Sequence, residues 1–125
     1  MDRRIAAAIE VIQSDKHHRM RVSELARRVN LSVGRFARLF KAETSLSPKE
    51  YVQQWRLHRA KELLENTFLR VNEVAAQVGF RHASSFVRDF KMRYGYTPST
   101  SRRRMGGPPS GVEAETALAD LVQNE

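Results

Sequence analysis

A chain of 125 residues has room for one domain or two very small ones, and without cysteine it holds no disulfide scaffold, thiolate zinc site or thiol nucleophile. Lys and Arg number 22 against 14 Asp and Glu, a net +8, and residues 113–125 carry only acids, Glu113, Glu115, Asp120 and Glu125, which leaves 22 against 10, or +12, in residues 1–112. So cationic a body expects a polyanionic partner, nucleic acid or an anionic membrane surface, and the lack of a long apolar run near the start argues against a signal peptide or membrane span; the expectation is a cytoplasmic, nucleoid-associated protein with no membrane partner.

In chain order, Ile5, Ala8, Ile9 and Ile12 recur at helical spacing and predict a first helix ending near Ser14, before the polar DKHHR. Ser23 is expected to cap the helix ELARRV, and Asn30 to end it in the left-handed conformation. Ser32 then caps a helix over roughly 33–44, and two short helices with so brief a turn form a helix-turn-helix. Pro48 suits the first turn of a long helix marked by Tyr51, Val52, Trp55, Ala60, Leu63 and Leu64 and running to about Glu65. From Val71 the earlier pattern returns, with Asn72 as cap, EVAAQV as helix, Gly79 at the turn, a helix from about His82 to Tyr94, Gly95 as terminator and Pro98 opening a short last helix. The expected fold is all-α, with about seven helices: a first helix-turn-helix subdomain over 1–46, a linker helix over 47–66, a second helix-turn-helix subdomain over 67–105 and a flexible acidic tail over 106–125. In that tail GGPPSG reads as a linker, and VEAETALADLVQNE as a frayed end or an acidic amphipathic helix that docks on a partner or competes with DNA for the cationic face.

The two halves align residue by residue. Val22, Glu24, Ala26, Val29 and Asn30 match Val71, Glu73, Ala75, Val78 and Gly79 at an offset of 49, and Phe36, Arg38, Phe40, Lys41 and Pro48 match Phe86, Arg88, Phe90, Lys91 and Pro98 at 50, so the second turn is one residue longer. Close crossing of two helices wants a small residue midway along the first and a residue at ease with positive φ at the turn, which Ala26 with Asn30 and Ala75 with Gly79 supply. At about 100° per residue, Phe36, Leu39 and Phe40 gather on one face while Gly34, Arg38 and Lys41 lie opposite; the second copy buries Phe86 and Phe90 and turns out Ser84, Arg88 and Lys91. The aromatics are therefore core rather than base-stacking platforms. The cations lie on the outer face of the helix that a helix-turn-helix places in the major groove. Arg38 and Arg88 are candidates for base edges, Lys41 and Lys91 for phosphates, and Arg35 and His82 for either; Gly34, Ala37, Ala83 and Val87 offer only shape or contact with a thymine methyl.

VNEVAAQVGFRHASSFVRDFKMRYGYTPSTSR strongly resembles the signature of the AraC/XylS family of bacterial transcription regulators, and LARRVNLSVGRFARLFKAETSLSPKEYVQQWRLHRAKELL resembles its first helix-turn-helix and linker helix, together covering residues 22–102. The resemblance implies a seven-helix domain with both recognition helices in successive major grooves on one face of bent DNA, usually activating transcription through RNA polymerase. It also implies base-reading positions at Gly34, Ala37, Arg38, Ala83, Ser84, Val87 and Arg88. One departure stands out. Where the family has Gly before the Ser-Pro of the first unit this chain has Ser45, so the first unit is expected to end differently or less rigidly than the second, which keeps Gly95. Family members commonly carry an effector-binding or dimerising domain as well, and the expectation here is a stand-alone regulator or a separated C-terminal piece, monomeric, with no small-molecule pocket.

No nucleophile elbow, Walker loop or glycine-rich phosphate cradle appears, so neither an enzyme nor a cofactor is expected. A metal is not expected either: His17 and His18 are adjacent, and neither His58 nor His82 is read as having a partner one helical turn away. The rival to a sequence-specific DNA-binding regulator is a protein-interaction module that docks on RNA polymerase or another regulator without reading DNA.

Overall fold

The computed structural model describes residues 1–14 and 20–104, except the side chain of Arg104; the DKHHR stretch at 15–19 and the linker and tail within 105–125 lie outside the described residues. The described residues form seven helices and no strand: α1 Arg3–Ser14, α2 Val22–Arg28, α3 Val33–Thr44, α4 Pro48–Asn66, α5 Val71–Gln77, α6 Ala83–Tyr94 and α7 Pro98–Arg104. The protein is all-α, with helix-turn-helix pairs α2–α3 and α5–α6, and the chain divides into two compact units between Arg56 and Leu57, within α4.

Each unit has its own core. In the first, Ile5, Ala8 and Ile12 of α1 meet Leu25 and Ala26 of α2 and Phe36 and Phe40 of α3, with Tyr51, Val52 and Trp55 of α4 packed alongside. The second gathers Leu57, Ala60, Leu63 and Leu64 of α4 with Val74, Ala75, Val78, Phe86 and Phe90. The internal repeat thus reaches further back than the two-helix frame. Ile5, Ala8 and Ile12 correspond to Leu57, Ala60 and Leu64 at an offset of 52, and at that offset Ser14, the last residue of α1, meets Asn66, the last of α4. The second half of α4 is therefore to α5–α6 what α1 is to α2–α3.

The helix starts depart from expectation at matching places. Ser23 and Asn72 are not caps: α2 and α5 each begin one residue earlier, with Arg21 (φ −81°, ψ 153°) and Arg70 (φ −69°, ψ 156°) as the extended residues before them. The reason is apolar, because starting at Val22 and Val71 lets each half-buried valine pack against its core from the first turn, which leaves Ser23 and Asn72 exposed. At α5 the start is secured instead by Glu73, whose carboxylate accepts the Arg70 amide at 2.8 Å. Likewise α6 begins at Ala83, with His82 as its extended N-cap. Ser32 caps as expected, its hydroxyl accepting the Arg35 amide at 3.2 Å.

The Ser/Thr-Pro that closes each repeat is a helix start. Ser47 and Glu50 form a reciprocal capping box, the Ser47 hydroxyl accepting the Glu50 amide at 3.1 Å and the Glu50 carboxylate accepting the Ser47 amide at 3.2 Å. Hydrogen bonding from Ser47 holds the Glu50 carboxyl below its ordinary range. At α7, Thr97 accepts the Thr100 amide at 3.2 Å.

Ser45 does not end its helix differently. It adopts the left-handed conformation, φ 69°, and its amide reaches the Lys41 carbonyl at 2.8 Å, just as Gly95, φ 84°, reaches Lys91 at 2.7 Å. Thr44, at the position Tyr94 takes in the second unit, supports this turn: its hydroxyl donates to the Phe40 carbonyl at 2.9 Å and accepts the Leu46 amide at 3.2 Å. The strain of a Cβ at positive φ is tolerated rather than avoided. Ser45→Gly is expected to stabilise the protein by about 0.5–1 kcal/mol, relief of left-handed strain exceeding the added chain entropy of glycine. Gly95→Ser, where a Cβ would meet nothing within 4 Å, should cost a similar amount through φ alone. Urea midpoints of the two variants read both, and unchanged midpoints would mean that the left-handed turns carry no strain.

Candidate nucleic-acid interface

The recognition-helix candidates α3 and α6 are oriented by their buried phenylalanines. Phe36, Phe40, Phe86 and Phe90 are all fully buried, so residues two positions further along each helix turn outward. On α3, Gly34, Arg35, Arg38 and Lys41 are exposed and Ala37 is half-buried. On and before α6, His82, Ala83, Ser84, Arg88 and Lys91 are exposed, while Val87 is half-buried and packs against the second core. Eleven residues singled out from the sequence thus form two outward sets, nine of them exposed. Each set belongs to its own unit.

The two arginines at equivalent positions differ in surroundings. Arg38 folds back along α3 so that its Nη1 lies 3.5 Å from where a Cβ on Gly34 would be. Arg88 has Ser84 one turn before it and instead pairs with its neighbour, Nε to Asp89 Oδ1 at 3.2 Å. Asp89 replaces Leu39 of the first unit and puts a negative charge beside the second unit's base-edge candidate. Sequence reasoning passed over it although it adjoins Arg88. Sequence reasoning also missed Arg4, which with Leu31, Arg35, Arg38 and Leu39 surrounds an open concavity of about 300 Å³ beside α3.

Other cations do structural work. Arg102 of α7 donates to the carbonyls of Leu64 (2.9 Å), Thr67 (3.2 Å) and Leu69, closing the end of α4 and the loop after it, and burial lowers its pKa from the ordinary arginine value. Lys61 lies over the Tyr94 ring, 5.0 Å from its centroid. His58 does have a partner one turn away, Glu62, with Nε2 3.7 Å from Oε1, and this is an i,i+4 pair on an exposed helix face. Among the described residues no three His, Asp or Glu side chains gather as metal ligands, and no helix is long and apolar enough to cross a membrane.

Comparison with known proteins agrees with this geometry. A family model described as a helix-turn-helix domain matches residues 25–104. The Msm operon regulatory protein of Streptococcus mutans is 35% identical over 96 residues, covering 77% of this chain and 34% of the relative, so the chain spans about a third of that protein's length. The solved DNA-binding domain of AdpA, a global transcriptional factor in complex with a target DNA, is similar with a TM-score of 0.76 at 28% identity, over 81% of this chain and 91% of that one. A transcriptional regulator from Chromobacterium violaceum, described among AraC-type DNA-binding domain-containing proteins, shares the fold with a TM-score of 0.79 at 23% identity, over 85% of this chain and 95% of that one.

The Arg88–Asp89 pair yields a direct test with duplex DNA. Removing the carboxylate in Asp89→Asn takes away a repulsion toward phosphate of the size of an exposed charge pair, about 0.2–1 kcal/mol, so binding at low salt should tighten by a factor of roughly 1.4 to 5 and the gain should fade as salt is raised. Fluorescence anisotropy at several salt concentrations measures this, and a variant that binds more weakly would mean that Asp89 positions Arg88 rather than opposing it.

Proposed function

The chain belongs to the AraC-type family of helix-turn-helix transcription regulators, and from that premise we propose that it binds double-stranded DNA sequence-specifically, with α3 and α6 in successive major grooves, and activates transcription. The single observation that supports this best is the repeated outward set itself: the same Arg and Lys frame, Arg38 with Lys41 and Arg88 with Lys91, stands exposed on the second helix of both helix-turn-helix pairs. A solvated charge run has no reason to recur in register with two buried phenylalanines.

In this reading Arg38 and Arg88 donate two hydrogen bonds each to guanine O6 and N7, worth about 1–3 kcal/mol of discrimination per base. Lys41 and Lys91, a turn further on, meet phosphates, with Arg35 and His82 at the entrance of each helix. Gly34, Ala37, Ala83, Ser84 and Val87 are small or apolar, and at most of them only groove shape or a thymine methyl is read. Specificity rests on few base contacts, and much of the affinity on phosphate. Residues 47–66 serve as the linker helix between the two reading units. The protein acts as a monomer on DNA in the cytoplasm and contacts RNA polymerase as its second partner.

Selection of binding sites from random duplex DNA tests the reading. The expected product is a motif with two half-sites one helical turn, about 34 Å, apart, with log K falling by about 0.9 per phosphate contacted as log salt rises. Arg88→Ala should relax preference at one position of the motif, whereas Lys91→Ala should weaken all sequences alike. Uniform loss in both variants would remove the base-reading role from Arg88, and failure to enrich any motif would remove sequence-specific binding altogether.

A further inference from the structure

The concavity beside α3 brings together three guanidinium groups from two elements that the sequence separates. Arg4 comes from the first turn of α1, and Arg35 and Arg38 from α3; Leu31 and Leu39 form its apolar wall. Arg4 is held in place as a fork, Nε to Asp2 Oδ1 at 3.3 Å and Nη2 to Asp2 Oδ2 at 3.2 Å. Its neighbourhood is anchored to α3, because the Asp2 amide donates to the Glu43 carboxylate at 2.8 Å. Three guanidiniums against two carboxylates, Asp2 and Glu43, still leave an excess of positive charge around the concavity. Planar, always-charged forks in that arrangement suit a phosphate group.

Position relative to the helix says which phosphate. With Phe36 and Phe40 inward, Arg38 and Gly34 face outward, Lys41 and Ala37 fall toward one flank, and Arg35 and Leu39 fall toward the other. Arg4 reaches the Arg35 flank from the neighbouring helix. A helix about 10–12 Å across nearly fills a major groove about 12 Å wide, so a sugar-phosphate strand runs along each flank. We propose that Arg4, together with Arg35, seats a phosphodiester of the DNA strand bordering the groove that α3 enters, a contact made from outside the recognition helix. This rests on the reading of α3 as a recognition helix. Lys41 then holds the strand on the opposite flank, and the two contacts fix how far α3 rotates in the groove, which sets the bases that Arg38 meets. Asp2 keeps the Arg4 fork ordered before DNA arrives. The sequence repeats an arginine at this register: Arg56 lies 52 residues after Arg4, the offset that relates α1 to the second half of α4.

Arg4→Gln tests the seat in the full chain, using the duplex motif recovered by site selection. The salt slope should fall by about 0.9, the share of one phosphate contact, affinity at ~0.1 M salt should drop on the order of fivefold, and base preference should stay as in the wild type. Arg4→Lys should restore the slope, which shows that a cation is needed. Both variants should melt with the wild type, since the side chain is exposed on the first turn of α1. Wild-type slope and affinity in Arg4→Gln would overturn the seat while leaving DNA binding intact; no binding of any duplex by the wild type would overturn the functional reading and the seat together. Titration with inorganic phosphate separates the sources of the anion: saturable binding lost in Arg4→Gln, alongside an unchanged DNA salt slope, would assign the concavity to a free small anion and overturn the DNA contact.

Discussion

Everything outward on α3 and α6 depends on what is inward, namely a pair of phenylalanines four residues apart. Phe36 and Phe40 meet at a tilt, with centroids 5.6 Å apart and planes at 60°, and Phe86 and Phe90 repeat this at 5.6 Å and 62°. Neighbouring rings close the rest of each site, Tyr51 edge-on to Phe40 at 5.3 Å in the first unit, and Phe80 against Phe86 at 5.3 Å and Tyr94 against Phe90 at 4.7 Å in the second. Emptying one such position typically costs about 3–5 kcal/mol, several times the energy of any exposed charge contact. The packing therefore sets the rotation of each helix, and the arginines and lysines take the directions left over. Because the period is helical, a Phe-x-Arg-x-Phe-Lys frame cannot bury its phenylalanines without presenting its cations.

A second constraint sets where each helix begins. The turn in both units is closed by the same pair of bonds: the Leu31 amide to the Ala26 carbonyl at 3.0 Å with Asn30 to Arg27 at 3.1 Å, and Phe80 to Ala75 at 2.9 Å with Gly79 to Ala76 at 3.2 Å. This is a Schellman closure, which needs a left-handed residue at its centre, and Asn30 (φ 61°) and Gly79 (φ 98°) supply it. The alanines are buried because the following helix crosses over them. After the shared closure the units diverge. The first reaches α3 through Ser32, whose hydroxyl caps the helix; the second takes one more residue, loses the side-chain cap, and gains a buttress in Phe80 against Phe86.

What was legible in the sequence was whatever carries a period or a constrained φ. The amphipathic stripes gave the helices, Pro48 and Pro98 gave two helix starts, and Asn30, Gly79 and Gly95 gave turns, because in each case one residue type is tied to one local geometry. The caps at Ser23 and Asn72 misled for a physical reason: a polar side chain at a helix start competes with an apolar neighbour's burial, and Val22 and Val71 won. The repeat of α1 in the second half of α4 was hidden because little recurs beyond its inward residues, Ile5 and Leu57, Ala8 and Ala60, Ile12 and Leu64, while Ile9 faces Lys61 and Ala7 faces Arg59 across the alignment. Arg102 and Arg4 were illegible for another reason. Each lies beside groups distant in the chain, Arg102 bonded to carbonyls more than thirty residues away and Arg4 lining a concavity with residues of α3, and no spacing rule points from one to the other.

In the proposed complex the two reading faces are unequal, and the magnitudes decide how they differ. Arg88 must leave Asp89 to reach a base, and an exposed pair of that kind is worth about 0.2–1 kcal/mol, against about 1–3 kcal/mol for a bidentate guanine contact. Exchange still favours the base, but only for the correct one: at a wrong base the pair with Asp89 is the better alternative, so the carboxylate sharpens discrimination while lowering affinity for phosphate. Arg38 has no acidic partner of this kind among the described residues, and it sits over the bare backbone of Gly34 within a cluster of cations. A guanidinium so placed gains from any nearby anion and has little to lose at a wrong base. In the proposed complex the first unit therefore supplies more of the salt-dependent affinity and the second more of the sequence preference, a division of labour that follows from one substitution in the repeat, Asp89 where the first copy has Leu39.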